Sequence, residues 1–144
     1  MSGDIELLNF RGSIDNMNDE KYDRVARVDG KEITGGAIYY QLDVNTDIWP
    51  VSVGDELTIT LASSLNLDGS KDDGKGWRDA NKGEATLADD YDYVCHGKIY
   101  RFEEGNEAEI RVYISFGGLL MYLTGPFERL KSLRIDHVYL LCKK

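Results

Sequence analysis

Alternation of apolar and polar residues runs through most of this chain and predicts short β-strands. It is clearest at residues 108–116, where every second residue is apolar. These positions are Ala108, Ile110, Val112, Ile114 and Phe116. Because successive side chains of a strand point to opposite faces, this strand is expected to bury one face and expose the other.

Residues 119–123 predict a second strand, and it is apolar on both faces. Leu119, Met121 and Leu123 share one face, and Leu120 and Tyr122 share the other. Gly117-Gly118 separates the two strands, and glycine allows the chain to bend sharply there. The pattern predicts a tight hairpin in an all-β core. A second interpretation stays open, in which Leu120 and Tyr122 dock on another protein.

Six further stretches alternate in the same way. They are residues 5–10, 21–28, 37–45, 56–62, 92–103 and 133–142. The side chains expected to point inward include Ile38, Tyr40, Leu42, Val44, Leu57, Ile59 and Leu61. About eight strands is the number at which a sheet can close into a small barrel filled by side chains. The predicted fold class is therefore all-β, a closed or nearly closed antiparallel barrel.

The connections between these strands carry recognisable turn signals. Residues 13–20 predict a polar turn, Asp29-Gly30 predicts a hairpin turn, and Pro126 suits the first position of a single helical turn. Residues 63–88 are rich in Gly, Asp, Ser and Lys. They are too long for a hairpin loop of ~2–5 residues. We expect a long Ω loop there, partly mobile and anchored by Leu65, Leu67 and Leu87.

Composition agrees with one globular β domain over residues 1–144. The chain is 42% hydrophobic, with nine Tyr, fifteen Gly and two Pro, a mix that suits strands better than a helical bundle. No apolar run approaches the ~18 residues of a membrane span, and no secretory signal pattern is present. Cys95 and Cys142 lie in strand-like runs, which favours reduced thiols in an intracellular protein.

The formal charge of -9 narrows the classes of partner. It argues against free-standing binding to a phosphate backbone and suits a basic protein partner or solubility. Tyr22, Tyr91, Tyr93, Tyr100 and Arg101 could still form a stacking surface for single-stranded nucleic acid. That alternative predicts salt-sensitive binding in a gel-shift titration, whereas an assembly subunit need not bind nucleic acid at all.

Two loop patterns approach ligand motifs and fail at decisive positions. Residues 69–76, GSKDDGKG, resemble a phosphate-binding loop but lack the hydroxyl that follows its lysine. Asp68, Ser70 and Asp72 have the spacing of the first calcium ligands, but the glycine that such a loop needs comes one residue late. A solvated acidic loop is the ordinary interpretation, and heat on calcium titration would be evidence for the alternative.

The remaining residues form no recognisable catalytic or metal-binding set. Cys95 and His96 are adjacent on a strand and point to opposite faces, so they are not expected to share a metal. His137 and Cys142 offer no second spaced pair of ligands. The carboxylates cluster in loops and turns, so no acid–base dyad and no nucleophile with its base can be grouped.

Several segments, taken together and in order, resemble the small barrel subunit shared by eukaryotic nuclear RNA polymerases I, II and III, the third of their common subunits. They are KYDRVARV (21–28), LDVN (42–45), WP (49–50), VGD (53–55), SSLNLDGSKDD (63–73), the YxYVxxGKIYR pattern (91–101), SFGGLLM (115–121) and VYLLCKK (138–144). Residues 5–15 and 29–36 depart from the pattern of that family.

The resemblance implies an antiparallel barrel like two intertwined oligonucleotide-binding (OB) halves, with a long loop. It implies no catalytic residue, no structural zinc and no cofactor. It also implies location in the nucleus, including the nucleolus, with the largest polymerase subunit and the rest of the assembly as partners. Nucleic acid would be contacted only indirectly or weakly, and no membrane is involved.

These observations together predict a non-catalytic assembly subunit that docks on the largest polymerase subunit. The predicted mode combines an apolar patch with addition of a partner strand to an exposed strand edge. The predicted contact residues are Phe116, Gly117, Gly118, Leu119, Leu120, Met121, Tyr122, Tyr139 and Leu140. Within this set, Leu120 and Tyr122 are the residues expected to be exposed.

Overall fold

The computed structural model of the chain describes residues 6–18, 24–65, 87–105 and 108–144. These residues contain nine strands: β1 (Glu6–Ser13), β2 (Asn16–Asn18), β3 (Val25–Lys31), β4 (Tyr39–Asn45), β5 (Glu56–Ala62), β6 (Tyr93–Glu104), β7 (Glu109–Phe116), β8 (Leu119–Pro126) and β9 (His137–Lys143). A 3₁₀ turn covers Leu87–Asp90, and one short helix, α1, covers Phe127–Leu130. No helix in the described part of the chain is both long and apolar enough to cross a membrane.

All nine strands form one antiparallel sheet in the order β1-β5-β9-β6-β7-β8-β4-β3-β2. The two strands at its ends, β1 and β2, are consecutive in the chain, so the sheet curls until its ends meet. The closing contact joins β1 to β3 and the residues just after it. There the Ile33 N–H donates a hydrogen bond to the Arg11 carbonyl at 2.8 Å, and Gly12 and Glu32 form an isolated antiparallel β-bridge. The all-β barrel prediction is confirmed.

Three residues make the closing contact of the barrel unusually tight. A Cβ atom placed on Gly30 would lie 1.7 Å from the carbonyl oxygen of Ser13. The Tyr40 hydroxyl donates a hydrogen bond to the same oxygen at 2.8 Å. β1 can therefore approach β3 this closely only because residue 30 has no side chain.

Alternate side chains of the strands fill the barrel interior as the sequence pattern predicts. The seven predicted inward-facing residues are all fully buried: Ile38, Tyr40, Leu42, Val44, Leu57, Ile59 and Leu61. From the hairpin, Met121 and Leu123 join the same core, and Leu119 packs against it. The single helical turn predicted after Pro126 is also present, with Pro126 as its N-cap.

A second apolar cluster lies on the outside of the barrel over β5 and β9. It consists of Ala62, Leu65, Tyr139 and Leu141, with Ala88, Tyr91 and Val94 packed against it. β9 therefore buries both of its faces, because Leu140 and Cys142 point into the barrel while Tyr139 and Leu141 are covered from outside. Leu65 is buried, as predicted for an anchor of the long loop.

The structure corrects three sequence predictions. Residues 13–20 are not simply a turn, because Asn16–Asn18 form β2 and pair with β3. Asp29-Gly30 is not a hairpin turn but lies inside β3, and the glycine serves the close approach of β1. The last strand begins at His137 instead of residue 133, which leaves Ile135 exposed in the preceding bend.

Several predictions fall outside the described residues. The phosphate-loop pattern at 69–76, the calcium pattern at 68–72 and Leu67 belong to residues 66–86, and Tyr22 belongs to residues 19–23. The side chain of Leu87 is likewise not described. The long-loop and single-domain predictions therefore remain predictions.

Two core tyrosines make the fold sensitive to alkali. Burial raises the pKa of Tyr40 and of Tyr93 well above the ordinary value near 10. A phenol whose pKa is raised by folding stabilises the fold below the unfolded pKa and loses that contribution as pH rises above it. We expect ultraviolet titration to show at least two tyrosines ionising only together with unfolding. Their ionisation while circular dichroism stays native would contradict this arrangement.

Candidate interaction surface

The β7–β8 hairpin is held by a two-residue turn at Gly117-Gly118. Both glycines have positive φ, 63° and 98°, the backbone twist that type I′ hairpin turns require. Phe116 pairs with Leu119 across the turn, and the pairing continues to Glu109 and Pro126. The predicted tight hairpin is confirmed, and its turn is exposed to solvent.

The predicted contact residues divide into an outer and an inner group. Gly117, Gly118 and Leu120 are exposed, with Leu120 at 40%, while Leu119 and Tyr122 are half-buried. Four others are buried inside the described structure: Phe116, Met121, Tyr139 and Leu140. The structure thus brings the hairpin residues together and places Tyr139 and Leu140 on β9, beneath other side chains.

Asp43 ties the hairpin to β4. Its carboxylate accepts two hydrogen bonds from the Arg27 guanidinium, at 2.7 and 3.1 Å. It also accepts the backbone N–H of Leu120 at 3.0 Å, just beyond the last paired residues of β4 and β8. With Asp43 only 5% exposed, these three bonds replace its hydration and fix the position of Leu120.

The neighbouring residues of the LDVN and WP segments also have structural roles. The Asn45 backbone N–H donates to the Tyr93 hydroxyl at 3.1 Å, and the Asn45 carbonyl accepts the N–H of Trp49 at 3.0 Å. The Trp49 and Tyr93 rings stack with centroids 5.2 Å apart. The LDVN and WP segments therefore contribute packing and hydrogen bonds that close one end of the barrel.

The outward side chains of β6, β7, β8, β4 and β3 form a broad face, which we call the outer face. Strand register aligns them in three rows: Glu103-Arg111-Thr124-Tyr39-Lys31, Arg101-Tyr113-Tyr122-Gln41-Asp29 and Lys98-Ser115-Leu120-Asp43-Arg27. Leu120 and Tyr122 lie on its central strand. The exposed side of the hairpin is thus the middle of a larger surface.

Four tyrosines make contact across this face. Tyr113 lies 5.1 Å from Tyr122 between ring centroids, Tyr122 lies 6.2 Å from Tyr39, and Tyr100 lies 6.3 Å from Tyr113. The Arg101 guanidinium sits over the Tyr113 ring, 5.6 Å from its centroid. The sequence pattern placed Tyr100 and Tyr122 among the candidates, but Tyr39 and Tyr113 could be added only through strand register.

Hydrogen bonds to carboxylates hold two of these rings. The Tyr113 hydroxyl donates to Glu103 at 2.7 Å, which lowers the pKa of the Glu103 carboxyl and raises the pKa of Tyr113. Burial, together with the charge of Asp29, raises the pKa of Tyr39, whose hydroxyl donates to Asp29. The phenols are therefore neutral and fixed in place at physiological pH.

The tyrosines proposed for base stacking do not form one surface. Tyr93 lies in the core beside Trp49, and Tyr91 lies at the outer cluster, where its hydroxyl is 2.9 Å from that of Thr60. Tyr100 is 48% exposed and belongs to the outer face. The prediction that these tyrosines share one stacking surface is wrong, because Tyr93 points to the interior side of β6.

Cys95 and His96 point to opposite faces of β6, as predicted. The Cys95 side chain packs against the core, and burial raises the pKa of its thiol, as it does for the fully buried Cys142. Both thiols are free. On the outside, His96 stacks with His137 at 5.4 Å between ring centroids, a contact that sequence spacing did not suggest.

Comparison with known proteins gives this architecture a family context. Residues 10–144 match the RNA polymerase Rpb8 family. A protein of Saccharomyces cerevisiae named as the RPABC3 subunit of DNA-directed RNA polymerases I, II and III is 41% identical over 128 residues, which cover 86% of this chain and 88% of the yeast protein.

Two further relatives come from other eukaryotes. An Arabidopsis thaliana protein named subunit 8B of DNA-directed RNA polymerases II, IV and V is 40% identical, covering 87% of this chain and 85% of its own length. A Schizosaccharomyces pombe protein named as subunit RPABC3 of polymerases I, II and III is 31% identical and covers 96% of both chains. The similarity therefore extends over nearly the whole barrel.

Proposed function

This chain belongs to the RNA polymerase Rpb8 family and is a subunit of a DNA-directed RNA polymerase, and we propose that it is a non-catalytic assembly subunit that binds the largest subunit of that enzyme. The family relationship supports this role and not that of a free-standing single-strand-binding module. In this proposal the chemistry of nucleotide transfer belongs to other subunits.

The observation that carries the proposed docking site is the exposed apolar position on the β7–β8 hairpin. Leu120 is 40% exposed on a strand whose opposite face is in the core, and Tyr122 is half-buried beside it. Asp43 holds the Leu120 backbone, so the side chain is presented from a rigid position. Phe116, Met121 and Leu140 are buried in the barrel core beneath the sheet, and Tyr139 is buried in the separate outer cluster over β5 and β9.

A strand edge next to the outer face offers main-chain hydrogen bonds to a partner. β6 pairs with β9 only as far as Lys98, whereas its pairing with β7 continues to Glu104. After Ile99, whose N–H donates to the Asp136 carbonyl, the β9 side of β6 faces no strand of the described residues. We propose that a segment of the largest subunit adds to this edge, at residues 100–104.

The location of the chain follows from its partners. A subunit of the eukaryotic polymerases acts in the nucleus, and we propose that this chain enters the nucleolus as well, where it would be assembled with polymerase I. This rests on the names of the relatives, which include subunits shared by polymerases I, II and III.

Replacing the exposed apolar side chains tests the docking site. Leu120→Asp and Tyr122→Asp are each expected to reduce co-purification of the largest subunit by about tenfold or more, because a carboxylate would be buried at the interface without a partner. The measurement is affinity purification of the tagged chain with quantification of the co-purifying large chains.

A matched substitution controls for nonspecific effects. Ile48→Asp introduces the same charge at a 68% exposed apolar residue that is not part of the hairpin, and it should leave co-purification unchanged. Thermal unfolding of each variant establishes that the fold is intact. Unchanged recovery of the largest subunit with both hairpin variants would exclude this patch as the docking site.

A further inference from the structure

The charge on the outer face is opposite to the charge of the chain. Five of its fifteen aligned positions are basic (Arg27, Lys31, Lys98, Arg101 and Arg111) and three are acidic (Asp29, Asp43 and Glu103). The chain as a whole carries a formal charge of -9. A basic region of this size on an acidic protein would attract a ligand of negative charge to this face.

The acidic side chains of the face are already occupied by donors of the chain itself. Asp43 binds Arg27 and the Leu120 N–H, and Glu103 binds Tyr113 and Arg101. Asp29 accepts hydrogen bonds from the Tyr39 hydroxyl and the side-chain amide of Asn16. The charges of Asp43 and Glu103 are therefore compensated by Arg27 and Arg101, whereas Asp29 is hydrogen-bonded by neutral groups and keeps its charge.

In the described part of the chain, three basic side chains of the face form no direct ion pair, although the charge of Arg111 helps to lower the pKa of the neighbouring Glu103 carboxyl. Within the described ranges, Lys31, Lys98 and Arg111 form no ion pair with a carboxylate. Among the same residues, the Arg111 Nε and the Thr124 Oγ1, on paired positions of β7 and β8, are buried and have no hydrogen-bond partner. Arg111 as a whole is half-buried, so its positive charge, and not its buried Nε, is what the face presents to an incoming carboxylate.

The tyrosines between these cations favour a protein ligand over a nucleic acid. Their rings pack against one another in tilted or edge-to-face arrangements with centroids 5.1–6.3 Å apart, which limits the ring area available for base stacking. Fixed tyrosines and arginines are the residues most enriched in protein–protein interfaces. Three cations without a direct ion pair are also few for holding a phosphate backbone against the overall acidity of the chain.

We propose that the outer face binds an acidic segment of a partner protein, with carboxylates on Arg111 and Lys98 and apolar side chains on Leu120 and Tyr122. That this segment belongs to the polymerase rests on the proposed function, since the two sites share the β7–β8 hairpin. The binding of a carboxylate-rich chain to the face does not depend on it.

The test is a titration of the ¹⁵N-labelled chain in which the amide chemical shifts are monitored by NMR. The probes are a short oligoglutamate peptide, an oligolysine peptide of the same length, and oligothymidylate. Oligoglutamate is expected to shift amides around Arg111, Lys98 and Tyr113, and the shifts should shrink as salt is raised. The variant Lys98→Gln with Arg111→Gln should weaken this binding by about tenfold.

The control is Arg134→Gln, which removes an exposed cation that is not one of the fifteen aligned positions of the outer face and should leave oligoglutamate binding unchanged. Absence of oligoglutamate shifts on the face, or shifts caused there by oligothymidylate alone, would overturn the proposal. Because the titration uses no polymerase, its failure leaves the co-purification test of Leu120 intact. Conversely, if the Leu120 variant left co-purification unchanged, the binding of oligoglutamate to the outer face could still be measured.

Discussion

Gly30→Ala is expected to destabilise the barrel more than any other single methyl group added to a strand. The new Cβ would lie 1.7 Å from the Ser13 carbonyl oxygen, so β1 would have to move away from β3. That movement would also separate Ser13 from the Tyr40 hydroxyl. Overpacking together with a lost buried hydrogen bond is expected to cost about 3 kcal/mol, which corresponds to about 10 °C in melting temperature.

The matched control is Gly35→Ala in the connection between β3 and β4. A Cβ there meets no atom within 4 Å, and only its positive φ of 83° opposes alanine, so the expected cost is about 1 kcal/mol. Thermal or urea unfolding of both variants gives the comparison. Equal melting temperatures for the two would show that the contact between β1 and β3 is not what closes the barrel.

Asp43→Ala should have the second largest effect. It would leave the half-buried Arg27 guanidinium without its carboxylate and the Leu120 N–H without an acceptor. Because the Asp43 side chain is only 5% exposed, breaking its ion pair with Arg27 is expected to lower the free energy of unfolding by about 3 kcal/mol. Amide hydrogen exchange should also quicken at Leu120, which separates loss of this bond from general destabilisation.

A surface pair provides the comparison for this prediction. Asp47 lies 3.4 Å from Arg24, and both side chains are more than half exposed. Asp47→Ala is therefore expected to change the free energy of unfolding by less than ~0.5 kcal/mol. If Asp43→Ala were as mild as Asp47→Ala, the carboxylate would not be what fixes the hairpin to β4.

The elements that the sequence predicted well are those whose burial is one-sided. β4 and β7 alternate cleanly because one face of each meets the core while most of the other is only half-buried, so period 2 identified their inward residues directly. Gly117-Gly118 was equally informative, since a two-residue turn with positive φ at both positions leaves few alternatives to glycine.

The errors arose where contacts distant in sequence determine the role of a residue. Asp29-Gly30 has the composition of a turn, yet Gly30 is glycine because β1, from another part of the chain, passes against it. Asn16–Asn18 has no apolar periodicity and forms a strand only because β3 offers it an edge. Local propensity carries no information about either partner.

The candidate surface was predictable only in part for the same reason. Apolarity on both faces of residues 119–123 identified Leu120 and Tyr122 from the sequence. Tyr39, Tyr113 and Arg111 join them through the register of three strand pairs, and register depends on the complete sheet. Tyr139 and Leu140 looked similar to Leu120 in sequence, but β9 is covered on both sides.

The position of β9 in the sheet has a consequence for synthesis of the chain. β9 follows the other eight described strands in sequence, yet it lies between β5 and β6 and pairs with both. A nascent chain therefore holds two unpaired strand edges and an open core until residues 137–143 have left the ribosome. The barrel can therefore close only after those residues have emerged, and until then the unpaired edges are sites at which other chains can pair and aggregate.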